Sequence, residues 1–498
     1  MAETSPRART YGNWRRPRSA GLGQLGLVGT AILMGGLIVV IITTAVLGLL
    51  PALVLLGLLA GFLATLMVRD RHGKTGLQLL AVRAGWFRAR AGGSHLYRSG
   101  PLGQAPWGTF QLPGLAAPLR LSEGRDSYDR PFALLEVPAT GHYTVIFAAQ
   151  PDGASLVDQE QVDARVAGWG EWLASLGEES GVVAASVTVE SAPDTGTRLR
   201  SEVEAQIDPS APAVAREVLR EVVQSYPVGS ASINAWVALT FTATVRGRRK
   251  RSREMAQDLA SRLPGLTARL QSSGAGAVRP ISAQRLCEVV RMAYDPDAAR
   301  FIDEAYAAGV VPQLDWTDAG PVAAEASWRR YRHDGALSVS WAMSGAPRGE
   351  VQSGVLLKLL APHRAIARKR VTLLYRIMNS GVGAALVEAD VRNADFRVAS
   401  AQRPTARMLR EQRAAHATAE EEARGAGLVD FGMLVTATVL EEDALADAEA
   451  AIDNLAASAR VTLRRAYGSQ DSAFAAALPL GLVLPAHLKV PAQVRASL

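Results

Sequence analysis

The chain has 498 residues, 48% of them apolar and 20% charged, so it can build sizeable cores and is not a disordered or low-complexity protein. Its single cysteine, Cys287, excludes an internal disulfide and lies in a helix-like pattern that predicts a small core residue. The net charge of +7 comes from residues 1–90, which carry eleven basic and two acidic side chains. Residues 91–498 carry 43 basic and 45 acidic side chains, and this balance argues against nucleic-acid binding by the main body.

The first predicted element is a pair of membrane-spanning helices. No charged residue occurs from Ser19 to Val68, a run of 50 residues, whereas one spanning helix needs about 20 apolar residues. The run therefore holds two spans, which we place at residues 24–46 and 51–68, with Pro51 in the first turn of the second helix. A cleaved signal peptide has a single apolar core of about 7–15 residues, and a buried soluble hairpin of this length would be unusual, so both alternatives fit less well.

Basic residues flank this apolar run on both sides. Because Lys and Arg next to spans stay on the cytoplasmic side, we expect a multi-pass protein of the cell membrane with both termini in the cytoplasm. Tyr11, Trp14, Trp86 and Phe87 are candidates for the headgroup layer. The side chains that we expect to anchor the flanks at anionic lipid are Arg15, Arg16, Arg18, Arg69, Arg71 and Lys74.

The second flank contains Gly73-Lys74-Thr75, which matches the end of a phosphate-binding loop. The full pattern has a further glycine five residues before the second one, where this chain has Val68, and it follows a buried strand. The tripeptide therefore reads as part of the basic membrane flank, and no nucleotide site is expected there.

The remainder is predicted to be an α+β cytoplasmic body with antiparallel or mixed sheets. Residues 92–130 read as a linker with a few short strands, and two α+β units follow at residues 131–345 and 346–498. Apolar periodicity and turn residues predict these elements: strands at 132–137, 142–149, 182–189, 235–245, 370–377 and 431–440, and helices at 156–178, 382–425 with a break at Pro404, and 442–459.

A weak internal repeat links the two units. Residues 235–245 and 431–440 both contain Thr-Ala-Thr-Val, and a helix is expected after each. In both stretches apolar residues alternate with threonines, which predicts strands with one well-buried face.

One basic cluster follows the strand at 235–245. Basic side chains at a helix start oppose the helix dipole, so helix propensity does not explain them. They could bind phosphate groups of DNA or lipid, or an acidic partner surface, or form a solvated loop. The cluster consists of Arg246, Arg248, Arg249, Lys250, Arg251 and Arg253.

The sequence offers no motif for catalysis. The seven histidines include no His-x-x-x-His pair, there is no cysteine pair for zinc, and a Gly-x-Ser-x-Gly elbow is absent. We therefore expect no catalytic, cofactor-binding or metal-binding residue, and a protein that is not an enzyme.

Several stretches resemble components of type IV secretion and conjugation machines. The basic Tyr11-Gly-Asn-Trp-Arg-Arg stretch before the two spans resembles the small two-helix VirB-type inner-membrane subunit. Residues 128–149, 428–452 and 464–482 are similar to the N-terminal, non-ATPase region of the VirB-type secretion ATPase. The last stretch matches a Gln-x-x-x-Phe…Leu-Pro pattern that leads into the ATPase core, here Gln470, Phe474, Leu478 and Pro479.

As a whole the chain resembles actinobacterial membrane proteins encoded in conjugative elements. The resemblance implies a membrane-anchored structural subunit of a DNA-transfer apparatus without its own ATPase domain, so no nucleotide-binding residue is carried over. Its expected partners are the cytoplasmic membrane, a separate secretion ATPase, other channel subunits and further copies of itself, with nucleic acid bound only weakly or indirectly. The alternatives are a membrane subunit of a type VII secretion complex and a membrane-bound enzyme.

Overall fold

A computed structural model describes residues 9–12, 14, 26–68, 70–100, 103, 111–151, 153, 157–194, 196–225, 231–245, 247–347 and 349–488. Within these ranges the chain is α+β, as predicted. The helices are α1 Gly26–Leu47, α2 Leu49–Met67, α3 Gly76–Ala91, α4 Gln159–Glu178, α5 Thr197–Gln206, α6 Ala213–Ser225, α7 Ser252–Leu270, α8 Ala283–Tyr294, α9 Ala298–Ala307, α10 Leu357–Leu360, α11 Ser380–Ala399, α12 Ala406–Ala423, α13 Leu445–Ser458 and α14 Gln470–Ala477.

Thirteen strands form one antiparallel sheet in the order β1-β10-β11-β12-β14-β13-β5-β6-β4-β3-β2, with β15 beside β12 and β9 beside β4. β7 and β8 form a separate two-stranded turn. The strands are β1 Leu96–Arg98, β2 Arg120–Arg125, β3 Pro131–Val137, β4 His142–Gln150, β5 Val182–Pro193, β6 Ala231–Thr242, β7 Thr244–Val245, β8 Arg248–Arg249, β9 Ala277–Pro280, β10 Ala323–Ala326, β11 Tyr331–His333, β12 Ala336–Gly345, β13 Arg368–Ile377, β14 Val429–Val439 and β15 Thr462–Arg465.

The strand order repeats itself on the two sides of the sheet. Read inwards, the first half is β2-β3-β4-β6-β5, and the second half, inside the edge strand β1, is β10-β11-β12-β14-β13. A helix follows β6 and leads to β9, and a helix follows β14 and leads to β15; both added strands pair with the third strand of their half. The halves meet where β5 pairs antiparallel with β13. β10, β11 and β12, which the sequence analysis placed in its first unit, belong to the second half of this pattern.

Both faces of the sheet are covered. On one face α4 and α7 pack on the first half, and α10 and α13 pack on the second. On the other face lie α8 and residues 470–482, which we call the strap. Thr240, Thr436 and Thr438 are therefore buried, although the alternating pattern predicted only one well-buried face. The prediction was wrong because the strap covers the polar face and the threonines bond to neighbouring hydroxyl and carbonyl groups.

The antiparallel register brings the ends of β6, β12 and β13 and the starts of β5 and β14 to one end of the sheet, which we call the anchor end. α11 and α12 also leave the sheet there as a helical hairpin, broken before α12 as Pro404 predicted. None of their residues belongs to the hydrophobic clusters of the described chain.

α1 and α2 are long and apolar enough to cross a membrane, over Gly29–Leu47 and Leu49–Met67. They correspond to the spans predicted at 24–46 and 51–68, although residues 24 and 25 lie outside the described part of the chain. Most of their side chains are exposed, as expected of helices that meet lipid rather than a protein core. Pro51 is the third residue of α2 and therefore lies in its first turn, as predicted.

Candidate functional site

The segment that follows α2 is bonded to the anchor end. Asp70 lies 3.9 Å from Arg464 of β15, and His72 Nδ1 lies 3.2 Å from Ser344 Oγ at the end of β12. Burial lowers the pKa of His72, and burial together with the nearby Arg464 lowers the pKa of Lys74. Of the predicted basic anchors on this side, Arg71 is exposed and Lys74 is half-buried, whereas Arg69 lies outside the described residues.

Gly73-Lys74-Thr75 has no geometry for holding phosphate. The amide of Gly73 donates to the Asp70 carbonyl, and that of Gly76 donates to the Val68 carbonyl, so these N–H groups already have partners. Thr75 caps α3 in a reciprocal pair of hydrogen bonds with Gln78. The tripeptide serves as a helix start next to the membrane flank.

The segment before α1 is bonded to the same end. Tyr11 and Val351 exchange two backbone hydrogen bonds of 2.7 and 2.8 Å, and the Tyr11 hydroxyl donates to Asp163 of α4 at 3.2 Å. The Trp14 ring meets Phe431 of β14 edge to face, with 6.4 Å between centroids. Both aromatics, which were predicted for the headgroup layer, contact the body at its anchor end. The predicted anchors Arg15, Arg16 and Arg18 lie outside the described residues.

The described residues of the basic cluster lie in the turn between β6 and α7 and in the first turn of α7, also at the anchor end. α7 neutralises part of it, because Arg248 pairs with Glu254 at 2.9 Å and Lys250 pairs with Asp258 at 3.1 Å. Three further arginines of the cluster are exposed and have no ion pair within the described chain, namely Arg249, Arg251 and Arg253. Arg246 lies outside the described residues.

A buried ionic group joins the two halves of the sheet. The Glu190 carboxylate of β5 accepts from Arg368 at 2.5 Å and from Arg370 at 2.6 Å, both in β13. Burial alone would raise the pKa of Glu190, but the two guanidinium groups outweigh it and hold the pKa below its usual range. Arg370 also lies 4.9 Å from the ring centroid of Phe474 in the strap. Because all three charged groups are almost fully buried, they act on structure rather than on a soluble ligand.

The strap is held by polar bonds to both halves. Gln470 accepts from the Ser340 amide at 2.8 Å and donates to its carbonyl at 3.2 Å. The hydroxyl of Thr372 donates to the Ala477 carbonyl, and that of Thr240 donates to the Gly481 carbonyl. Gln470 and Phe474, which the resemblance singled out, are therefore among the residues that hold this segment on the sheet. The partners Glu190, Arg368 and Arg370 were missed because no local pattern in the sequence pairs β5 with β13.

A cleft of about 270 Å³ opens between the strap and the anchor end. Its walls are mainly apolar, and several of its polar side chains already have partners: Arg376 pairs with Asp430 at 2.7 Å, and Thr240 bonds to the strap. No group of three or more His, Cys, Asp or Glu within the described residues could hold a metal ion. Cys287 is buried, and burial raises the pKa of its thiol to about 12, which disfavours the thiolate and fits a core residue.

Residues 18–78 match a family model described as a domain of unknown function (DUF8461). The match covers the two apolar helices and the start of the segment that joins them to the body. No curated protein matches the chain.

Proposed function

We propose that the chain is a membrane-anchored structural subunit of a conjugative DNA-transfer apparatus of the type IV secretion kind. The apolar helices would fix it in the cell membrane, with both termini in the cytoplasm. The body would dock a separate ATPase at the cytoplasmic face. In this proposal the chain is not itself an enzyme.

One observation carries the proposal: both flanks of the apolar pair are bonded to the same end of the sheet. Tyr11 pairs with Val351, and His72 contacts Ser344, which lies seven residues away in the chain. If α1 and α2 span the membrane as proposed, a hairpin held at both ends would keep the whole body on one side of it and restrain its tilt. A scaffold that presents a docking surface in a fixed orientation needs this property, because orientation on a membrane limits which partners can meet.

The basic cluster supports a docking role. Arg249, Arg251 and Arg253 are exposed at the anchor end, and they lie at or next to the start of α7, where positive charge is unfavourable. An acidic surface on the partner would stabilise them, and charge complementarity mainly provides orientation and a faster encounter.

The test is site-specific crosslinking in the host membrane. A photoreactive residue at Arg251 should capture an ATPase with Walker motifs, and the same residue at Arg392 on α11, a matched exposed arginine, should not. Purified partner ATPase should bind the wild-type protein in detergent and bind the Arg251→Glu variant at least tenfold more weakly. The reduced affinity should be specific to Arg251 and absent in Arg392→Glu.

Two outcomes would count against the proposal. Capture of type VII secretion components at position 251 would indicate that the protein belongs to a type VII secretion complex instead. Equal binding of the ATPase by the wild type and Arg251→Glu would remove the basic cluster as its contact.

A further inference from the structure

α3 has two different faces. One face turns to the body: the Trp86 ring meets Trp328 edge to face at 5.4 Å, and Trp328 stacks on Tyr467. The other face carries Leu77, Leu80 and Phe87, which are 38%, 54% and 64% exposed. Positions i, i+3 and i+10 fall on one side of a helix, so these side chains form a continuous apolar stripe that the body does not cover.

This stripe begins at the membrane boundary. α3 starts nine residues after α2 ends, and the amide of Gly76 donates to the Val68 carbonyl at 2.9 Å. A Cβ atom at Gly76 would lie 2.9 Å from the carbonyl oxygen of Thr65, so the first turn of α3 is pressed against the last turn of α2. The last turn of a spanning helix lies near the headgroup layer, and the start of α3 lies there with it.

A cleft of about 350 Å³ opens between the two helices. Its walls are almost wholly apolar, and Arg83 stands at its margin. α2 contributes Ala64 and Thr65 with the adjoining Val68, and α3 contributes Gly76, Leu79, Leu80 and Arg83. An apolar slot beside a spanning helix, with a cation at its margin, suits an acyl chain whose phosphate lies near the surface.

All charged side chains of α3 are basic. The helix has no acidic residue, and its basic side chains are Arg83, Arg88 and Arg90. Arg90 lies over the Trp86 ring at 5.4 Å, whereas Arg83 and Arg88 are exposed and show no ion pair within the described chain. Long basic side chains beside an apolar stripe are typical of helices that lie in the plane of an anionic membrane surface.

We propose that α3 lies in the headgroup layer as an in-plane helix, with Leu77, Leu80 and Phe87 against the acyl chains. Arg83 and Arg88 contact phospholipid phosphates at the same depth. This inference rests on the proposed membrane anchor, because α1 and α2 bring α3 to the surface. The continuity of the stripe with α2 and its basic margin favour lipid over a second copy of the chain as the group that covers it.

The test is a nitroxide label on the full chain in nanodiscs, with collision by oxygen and by a water-soluble nickel chelate as the measurements. The labelled variants are Leu80→Cys and Phe87→Cys on the stripe, Ile41→Cys in α1 as the lipid control, and Phe301→Cys on α9 as the water control, 60% exposed. Unsubstituted protein with only the buried Cys287 gives the background. The labels at positions 80 and 87 should collide more often with oxygen and less often with the nickel chelate than the label at position 301.

The controls separate the two proposals. If positions 80 and 87 behave like 301 while position 41 lies in lipid, the in-plane helix is wrong and the anchor remains. If position 41 also behaves like 301, the anchor fails and the inference fails with it. Spin–spin broadening at 87 that disappears on dilution with unlabelled protein would show that a second copy covers the stripe.

A second measurement addresses the phosphates. Nanodiscs of phosphatidylcholine mixed with phosphatidylglycerol should place the label at 87 deeper than nanodiscs of phosphatidylcholine alone. Arg83→Gln with Arg88→Gln should abolish this difference, and Arg392→Gln on α11 should preserve it. An equal depth in both lipids would show that the arginines do not contact anionic headgroups.

Discussion

The two halves of the sheet share one strand order but differ in chemistry where they meet. β5, the inner strand of the first half, carries one buried acid, Glu190, whereas β13, the inner strand of the second half, begins with Arg368, Lys369 and Arg370. Apart from each other, the halves would each leave charge at an uncovered edge. Joined, they pair the Glu190 carboxylate with Arg368 and Arg370, and a strand that did not supply this acid would leave both guanidinium groups buried without a counter-ion.

The halves also differ in their outer hairpins. β3 is lined by apolar residues, whereas β11 carries His333 in a buried position, bonded to the Tyr294 carbonyl and to Ser338 Oγ. A carbonyl only accepts, so Nδ1 carries the proton and Nε2 accepts from the serine hydroxyl. A duplicated topology therefore does not imply duplicated interiors, and each half has its own weak points.

The largest expected effect comes from breaking the ionic junction. Glu190→Ala should lower the free energy of unfolding by about 3–5 kcal/mol, because it leaves two buried guanidinium groups without a counter-ion. The thermal midpoint of the detergent-purified protein, followed by tryptophan fluorescence, measures it. Glu190→Gln keeps the volume and should also be strongly destabilising. A loss below about 1 kcal/mol in both variants would show that the junction is held by backbone pairing alone.

Removing the ring at the centre of the strap should be nearly as severe. Phe474 is fully buried and contacts Tyr294, Tyr331 and His333, so Phe474→Ala should cost about 3–5 kcal/mol through lost burial and a cavity. Phe301→Ala, at an exposed position on α9, is the matched control and should change the midpoint little. Similar losses in the two variants would mean that the strap does not hold the second half in place.

His333 makes the second half sensitive to acid. Burial lowers its pKa to about 3, against about 6.5 in the unfolded chain, so protons bind the unfolded state first. The stability that the neutral imidazole contributes is complete above pH 6.5 and falls as the pH drops towards 3. The His333→Gln variant should be less stable than the wild type at neutral pH, but it should lose less stability between pH 6.5 and pH 3. Equal slopes in the wild type and His333→Gln would contradict the assignment.

The smallest effect is expected from the exposed ion pair at the anchor end. Arg376 of β13 and Asp430 of β14 are 2.7 Å apart but partly exposed, so Asp430→Ala should cost only about 0–1 kcal/mol. Both acids pair with arginines of β13, so comparison of Asp430→Ala with Glu190→Ala separates the effect of burial from that of charge pairing. A loss of stability as large as that of Glu190→Ala would show that solvent exposure does not set how much this ion pair contributes to stability.

Local patterns predicted much of the fold. The uncharged run predicted α1 and α2, Pro404 predicted the break between α11 and α12, and the apolar spacing in 156–178 predicted α4. The helix predicted at 442–459 is α13, which begins three residues later at Leu445, and Glu442 before it pairs with Arg330. The shared Thr-Ala-Thr-Val indicated a repeat, although one copy runs past the end of β6 into β7.

The sequence by itself determined the apolar pair, its basic flanks, the α+β class and the lack of a recognisable catalytic motif, because each depends on residues close together in the chain. Only the tertiary structure decided what lies between distant segments. It paired Glu190 with Arg368 and Arg370, about 180 residues away, laid the strap over the threonines, and turned Trp14 and Trp86 towards the body. Such contacts depend on how the halves pack, and no local periodicity encodes that choice.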